Sequence, residues 1–318
     1  MFERTLPTGE KVDAFPLATP QQLMLFMSMQ YGADYPVNNI GSGYYWQGEM
    51  DFDLMKEAIL EAVLRCDTMR MRFMPDEQYK VLQYITPKSE MEIETWDYSA
   101  MPLKEAHEKL LEFSHGQIPM FFCEIHTIKL MKLAEGYNGI FMKLHHLAMD
   151  AFSVKVFLRD IMELYLHKLK GAPYPKPMRP YIPALMGELA YLKSEQYAAD
   201  KKYWEESLSK TSEPIFTDYM LESRLKQQRR EHPTHRFADI HSGSPAAKAK
   251  IFEMTQEETD ALSSMCREND LSLCAALSMG VRTALSVFND DEEDVSFKMI
   301  VDRRGSLAEK KSGGIRIN

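Results

Sequence analysis

The stretch from Met120 to Val154 constrains the fold more than any other part of the chain. Two apolar runs, MFFCEIHTIKLM and GIFMKLHH, are separated by KLAEGYN, whose Gly136, Tyr137 and Asn138 suit a turn, so the spacing predicts an antiparallel hairpin. The second strand closes on His145 and His146. Asp150 follows, and a long helix is expected from about Phe152 to Leu169, stopped by Gly171. Side chains alternate across a strand, so Met142, Leu144 and His146 share one face while Lys143 and His145 share the other. The two histidines therefore do different jobs: one projects into a cleft while the other packs beneath it and holds the turn.

An imidazole suits general-base work because it titrates near ~6.5 and is largely neutral at cytoplasmic pH. Asp150, just before a helix, is placed to cap free backbone N–H groups or to pair with an arginine elsewhere. A metal site would need both imidazoles to converge, which strand geometry opposes, and no third ligand is evident, so no metal is expected. Taken alone, the same residues also read as a structural pair of core histidines with an N-cap aspartate.

Upstream, SGYYWQGEMDFDLMKEAILEAVLRCDTMRMRF predicts a strand, then a helix capped by Asp51 or Asp53, then the strand MRMRFM. QYKVLQYI alternates like a half-buried strand, and PLKEAHEKLLEFSHG reads as a helix ended by Gly116. After the long helix, APYPKPMRPYIP packs five prolines between Pro173 and Pro183 and resists both helix and central strand. The expected division is therefore 1–172, a linker at 173–183, and 184–318. The second part reads as the helical stretch ALMGELAYLKSEQYAADKKYWEESLS, a strand near AKIFEM, helices at TQEETDALSSMCREND and SLCAALSMGVRTALSVF, and the strand VSFKMIV. Strands and helices mix without a regular βαβ alternation or a fixed repeat, which suggests an α/β sandwich built twice.

With 318 residues, 45% apolar and 27% charged, the chain has material for one large unit or two domains. No run approaches the ~20 apolar residues of a membrane span, and MFERTLPTGEKVD lacks the layout of a secretion signal, so a cytoplasmic protein is expected. A net charge of −9 argues against nucleic acid as the main partner. Cys66, Cys123, Cys266 and Cys274 form no CxxC pair and are read as buried free thiols rather than a disulfide frame or zinc site. The 23 methionines fit an adaptable acyl-binding pocket or plain compositional drift.

HHxxxD followed by a small residue, at the junction of strand and helix, resembles the active-site motif of the condensation-domain superfamily. These are thioester-dependent acyltransferases of nonribosomal peptide synthesis, related to chloramphenicol acetyltransferase. Further segments agree in order. FPLATPQQLMLF resembles the family's opening segment, with Gln21 in place of its usual glutamine. RCDTMRMRF is similar to its RHExLRTxF, keeping Arg65, Arg70 and Phe73 while Cys66 and Asp67 replace the His-Glu. The post-linker helix ends in Tyr203 and Trp204. VSFKMIVDRRGSLAEKKSGGIRIN places Arg303 or Arg304, Gly314 and Asn318 in motif positions.

The resemblance implies two chloramphenicol-acetyltransferase-like α/β sandwich subdomains in a V-shaped pseudo-dimer, the second incomplete relative to the family, with the motif midway along a tunnel. It implies that His146 is the general base, and that His145 and Asp150 hold the loop, Asp150 through a salt bridge to Arg65 or Arg70. No tightly bound cofactor is implied. The substrate would be an acyl-CoA or a phosphopantetheine-linked acyl thioester on a carrier protein, and the acceptor an amine or a hydroxyl. A free-standing amine or alcohol acyltransferase and a non-catalytic scaffold are the competing readings. One departure stands at Ala151, where the family usually has glycine: a positive φ there would strain alanine, whereas a first helical turn would accept it. The basic stretch SRLKQQRREHPTHRF, with Arg224, Lys226, Arg229, Arg230 and Arg236, and the acidic NDDEED read as solvated loops, the former with some capacity to meet an acidic carrier or CoA phosphates.

Overall fold

The structure is a computed structural model that describes residues 1–31, 36–78, 80–209, 231, 250–287, 291, 293, 299–304, 309–311 and 313–316. The chain divides into two compact units, one comprising 1–194 with 300–318 and the other 195–299.

The first unit opens with strands β1 (Phe2–Thr5) and β2 (Lys11–Pro16) and helix α1 (Thr19–Tyr31). There follow β3 (Asn39–Gln47), α2 (Phe52–Arg65), β4 (Met71–Pro75), β5 (Val81–Ile85), β6 (Glu94–Tyr98), α3 (Leu103–His115), β7 (His126–Leu133), β8 (Tyr137–His145), α4 (Ala151–Lys170) and α5 (Ile182–Tyr191). The strands make two four-stranded sheets, ordered β1-β2-β5-β4 and β3-β8-β7-β6. The expected hairpin is the centre of the second: β7 and β8 pair antiparallel with His126 opposite Leu144, and β3 lies along the other edge of β8 with Asn39 opposite His145. Gly139 permits that pairing, because a Cβ there would stand 2.8 Å from Tyr45 Cβ on β3.

The alternation along β8 sorts its side chains as the period of two requires. Ile140, Met142 and Leu144 enter the main core with Met55, Ile59 and Val63 of α2 and Val154, Phe157 and Ile161 of α4. Phe141 joins a smaller core on the other face with Ala106 and Leu110 of α3. Helix α2 starts where Asp51 accepts from the N–H groups of Asp53 and Leu54, and α4 ends at Gly171 in the left-handed region.

Arg65 and Arg70 explain why the proline-rich stretch is not a division between units. Arg65 donates to the Pro175 carbonyl at 2.8 Å and lies over the Tyr174 ring. Arg70 holds Asp67, whose other oxygen accepts from the Tyr181 N–H at 3.0 Å. The prolines forbid regular structure, yet Met178 and Tyr181 are buried and the stretch is fastened to the first unit. The unit boundary lies instead after Ser194.

In the second unit the described elements are α6 (Glu195–Leu208), α7 (Gln256–Glu268) and α8 (Leu273–Val287). The long helix expected after the linker is thus two, α5 and α6, broken at 192–194. Thr255 and Glu258 cap α7 reciprocally. The strand expected near AKIFEM is absent: residues 250–254 are non-regular and exposed, leaving Ile251 and Phe252 without the burial a strand would need. Residues 299–301 are likewise not a strand, and 295–298 lie outside the described residues, as do the basic stretch apart from Glu231 and most of NDDEED. Among the described residues no single helix is long and apolar enough to cross a membrane.

Candidate active site

The loop 146–150 is held from several sides. His146 donates its backbone N–H to the Asn38 carbonyl at 2.7 Å, and the Asn38 side chain is tied to α1 through the Met24 carbonyl and Ser28 Oγ. Leu147 is pinned at both backbone groups: its N–H donates to His145 Nδ1 at 3.1 Å, and its carbonyl accepts from Gln21 Nε2 at 2.9 Å. Gln21 is wholly buried, exchanges a second hydrogen bond with Gln83, and accepts from the Ala18 N–H and the Tyr181 hydroxyl.

Strand β8 ends at His145 rather than at both histidines, so His146 lies on the loop that follows, and the two differ in burial. His145 is 6% exposed, and its ring is pushed down to about 4 by burial and by its charged-state repulsion with His146, so it stays neutral. Because Nδ1 accepts from Leu147, Nε2 carries the proton. His146 as a residue is half-buried, and its Nδ1 is itself a buried atom with no hydrogen-bond partner among the described residues.

Asp150 is completely buried and caps α4 through Ser153 N and Oγ at 2.8 and 2.9 Å. Its ion-pair partner is neither Arg65 nor Arg70. Arg304, which is 3% exposed, reaches both carboxylate oxygens at 2.9 and 3.1 Å, and the Arg316 N–H donates to one of them at 2.9 Å. Arg65 pairs with Asp160 at 3.4 Å and Arg70 with Asp67 at 3.1 Å. Burial alone would raise the Asp150 carboxyl, but the hydrogen bonds from Arg304, Ser153 and Arg316 outweigh it and hold the group below the usual carboxylate range. Arg304 also donates to the Gly314 carbonyl, as does Ser153 Oγ, so Arg304 and Gly314 are both fastened at the start of α4. Gly314 has φ +103° and a Cβ there would collide with the Tyr181 ring, so only glycine fits. Ala151 is the first residue of α4, the tolerant alternative for a residue without glycine's freedom. Asn318 lies outside the described residues.

Sequence reasoning missed Arg304 as the partner of Asp150 and the part Gln21 plays beneath Leu147. Both positions stood in the quoted motif segments, which was the available signal. Tyr203 and Trp204 are exposed on α6, and the free thiols divide: Cys66 and Cys266 are buried, Cys123 is half-buried and Cys274 is exposed. Among the described residues no three His, Cys, Asp or Glu side chains gather as a metal site.

The condensation-domain family model matches residues 11–318. The chain belongs to the condensation-domain family. Among curated relatives, surfactin synthase subunit 1 of Bacillus subtilis (strain 168) is 23% identical over 211 residues, covering 64% of this chain and 6% of the relative. Enterobactin synthase component F of Escherichia coli (strain K12) is 28% identical over 170 residues, covering 50% and 13%. The chain thus spans a small part of these synthases. Among solved structures, the first condensation domain of the calcium-dependent antibiotic synthetase superposes with TM-score 0.77 at 19% identity, covering 96% of this chain and 68% of that one. The starter condensation domain of rhizomide synthetase, solved with C8-CoA and Leu-SNAC, gives 0.74 at 18%, covering 96% and 64%. The fold is the chloramphenicol-acetyltransferase-like α/β fold of these condensation domains. Condensation domains of nonribosomal peptide synthetases form amide bonds from thioester-bound substrates.

Proposed function

We propose that this chain catalyses acyl transfer from a thioester to an amine, with His146 as the general base. The observation that supports it is the placement of His146, a half-buried residue whose own N–H is fixed to Asn38 and whose successor, Leu147, is fixed to His145 and Gln21. A backbone held in this way fixes the point from which the imidazole projects, and a positioned base contributes roughly 10²–10⁴ in rate. In the reaction the amine nitrogen bonds to the acyl carbon and the carbon–sulfur bond breaks. The imidazole takes the amine's proton, and the departing thiolate is protonated in turn. His145 and Asp150 act by holding the loop, and Arg304 fixes Asp150.

The donor is an acyl or peptidyl group on a carrier-protein phosphopantetheine or on CoA, the acceptor is an amine or a hydroxyl, and the compartment is the cytoplasm. The test is intact-mass detection of product with acyl-carrier and acyl-CoA donors offered separately to amine and alcohol acceptors. The expected result is amide product that falls at least 100-fold in His146→Ala, with an unchanged melting temperature. Turnover from CoA alone onto an alcohol would favour the free-standing acyltransferase. Undiminished turnover in the variant would remove His146 from the mechanism, and carrier binding without turnover would make the domain a scaffold.

A further inference from the structure

Each of the two sheets in the first unit ends in two edge strands, β1 and β4 in one, β3 and β6 in the other. An open edge presents unpaired N–H and C=O groups, and proteins blunt it with short strands, charged side chains or proline. Three of these edges are treated in that way. β1 has four residues and carries Glu3 and Arg4, β6 has five and carries Glu94 and Asp97, and β4 ends in Pro75 and is bridged at Phe73 by Phe121. β3 differs: its nine residues, NIGSGYYWQ, include neither a charge nor a proline.

The pairing register decides which of its groups are open. The His146 N–H donates to the Asn38 carbonyl while the His145 N–H turns the other way, to Ile125, so the even-numbered residues of β3 bond to β8. The main-chain groups of Gly41, Gly43 and Tyr45 therefore point away from the sheet and have no partner among the described residues. Both glycines are exposed, and Tyr45 is 57% exposed. Beside this edge lies a groove of about 420 Å³, lined by Tyr44 and Trp46 together with Leu158 and Met162 of α4. An added strand would find apolar surface there as well as main-chain partners.

We propose that the edge of β3 pairs antiparallel with β3 of a second copy of this chain, about a two-fold axis at Gly43, joining two four-stranded sheets into one. In that register the strand is complementary to itself. Gly43 faces Gly43 and Tyr45 faces Gly41, while on the opposite face Tyr44 meets Ser42 and Trp46 meets Ile40, so every aromatic ring lies beside a small or branched residue. The three outward pairs exchange about six main-chain hydrogen bonds. No like charges are brought together, and a patch that pairs with itself about a two-fold closes as a dimer rather than a fibre. A strand from a different protein would gain the main-chain bonds without this matched order of side chains.

The mass of the full chain is measured by sedimentation equilibrium over a roughly hundredfold range of concentration, and dimer should replace monomer as concentration rises. The Gly43 N–H is not used by β8, and a Cβ there meets nothing nearer than the Phe141 ring at 3.7 Å, so Gly43→Pro and Gly43→Lys should leave the fold intact. Proline removes the central donor and lysine sets two like charges face to face, and each should weaken the dimer about tenfold or more. Gly43→Cys should cross-link to its own copy under mild oxidation, because directly paired Cα atoms stand about 5.5 Å apart, whereas Tyr45→Cys should not. The parent chain, with Cys274 exposed, is the control. Because any substitution can disturb folding, amide exchange is also followed residue by residue on the unaltered chain. At high concentration Gly41, Gly43 and Tyr45 should slow, while Ser42 and Tyr44, already bonded to β8, should not change. A monomer at every concentration overturns the proposal, as does a dimer that both Gly43 variants leave unchanged or one in which those three amides exchange at the monomer's rate. Cross-linking through Tyr45→Cys in place of Gly43→Cys would overturn the register.

Discussion

Asp150 and His126 are both buried, both belong to the first unit, and are treated in opposite ways. Asp150 receives hydrogen bonds from Ser153, Arg304 and Arg316, so its charge is compensated on every side the helix start leaves open. His126, at the head of β7, has no hydrogen-bond partner at either ring nitrogen among the described residues. Its nearest carboxylate oxygen, Glu124 Oε2, is 4.0 Å away, while Arg72, Ser89 and the Glu90 N–H all bond the other oxygen, Oε1. Burial pushes the His126 ring down to about 4, opposed by the charge of Glu124. The lesson is that burying a polar group adds order only where its partners are complete; otherwise it is a cost carried by the apolar packing around it.

The comparison breaks most sharply at Arg304. Arg304→Ala leaves Asp150 buried and uncompensated, and should cost about 3–5 kcal/mol by urea unfolding, with acyl transfer lost alongside. A loss under 1 kcal/mol would mean that Asp150 is not organised by this pair. The same pair sets an acid limit. The Asp150 carboxyl is depressed in the folded state, so its contribution is present above the ordinary carboxylate pKa and is lost as pH falls through the lowered native value. Acid unfolding of Arg304→Ala should therefore begin at higher pH than in the native chain.

Gln21→Ala should cost about 1–3 kcal/mol, because the Leu147 carbonyl and the Gln83 amide lose a buried partner. Its rate defect should appear in kcat more than in KM if the loop's position is what Gln21 secures; a change confined to KM would argue for direct substrate contact. His126→Leu is the smallest effect, neutral or stabilising by up to about 1 kcal/mol, since it removes an unsatisfied group of similar bulk. The pH profile sharpens this. The folded-state values of His126 and His145 lie near 4, below the ordinary 6.5, so the unfolded chain takes up protons first and stability falls as pH drops from about 6.5 toward 4. His126→Leu should flatten that fall. A variant with the native slope would show that the ring finds a partner when protonated.

The hairpin, its two histidines and the helix after Asp150 were legible because each depends on neighbours in sequence: alternation, a turn, a cap, a glycine stop. The partner of Asp150 was not legible. Arg65 and Arg70 are closer in the chain and were the natural choice, but they are drawn to Asp160, Asp67 and the proline-rich stretch. The strand expected near AKIFEM failed for a related reason, since a short apolar run becomes a strand only if another strand and a core receive it. Helix α1 carries no clear periodic apolar face, exposing Leu23, Phe26 and Met29, and so gave little helical signal despite supporting the loop 146–150.

The amino-acid order alone set the alternation of side chains along β8 as far as His145 and where α4 begins, because those follow from a repeat of two residues and from one capping carboxylate. Folding in three dimensions decided that Arg304, 154 residues beyond Asp150, completes its charge, and that Gln21 lies under Leu147. Those choices compare competing partners across the whole chain, and only the closed core, by admitting some and excluding others from water, selects among them.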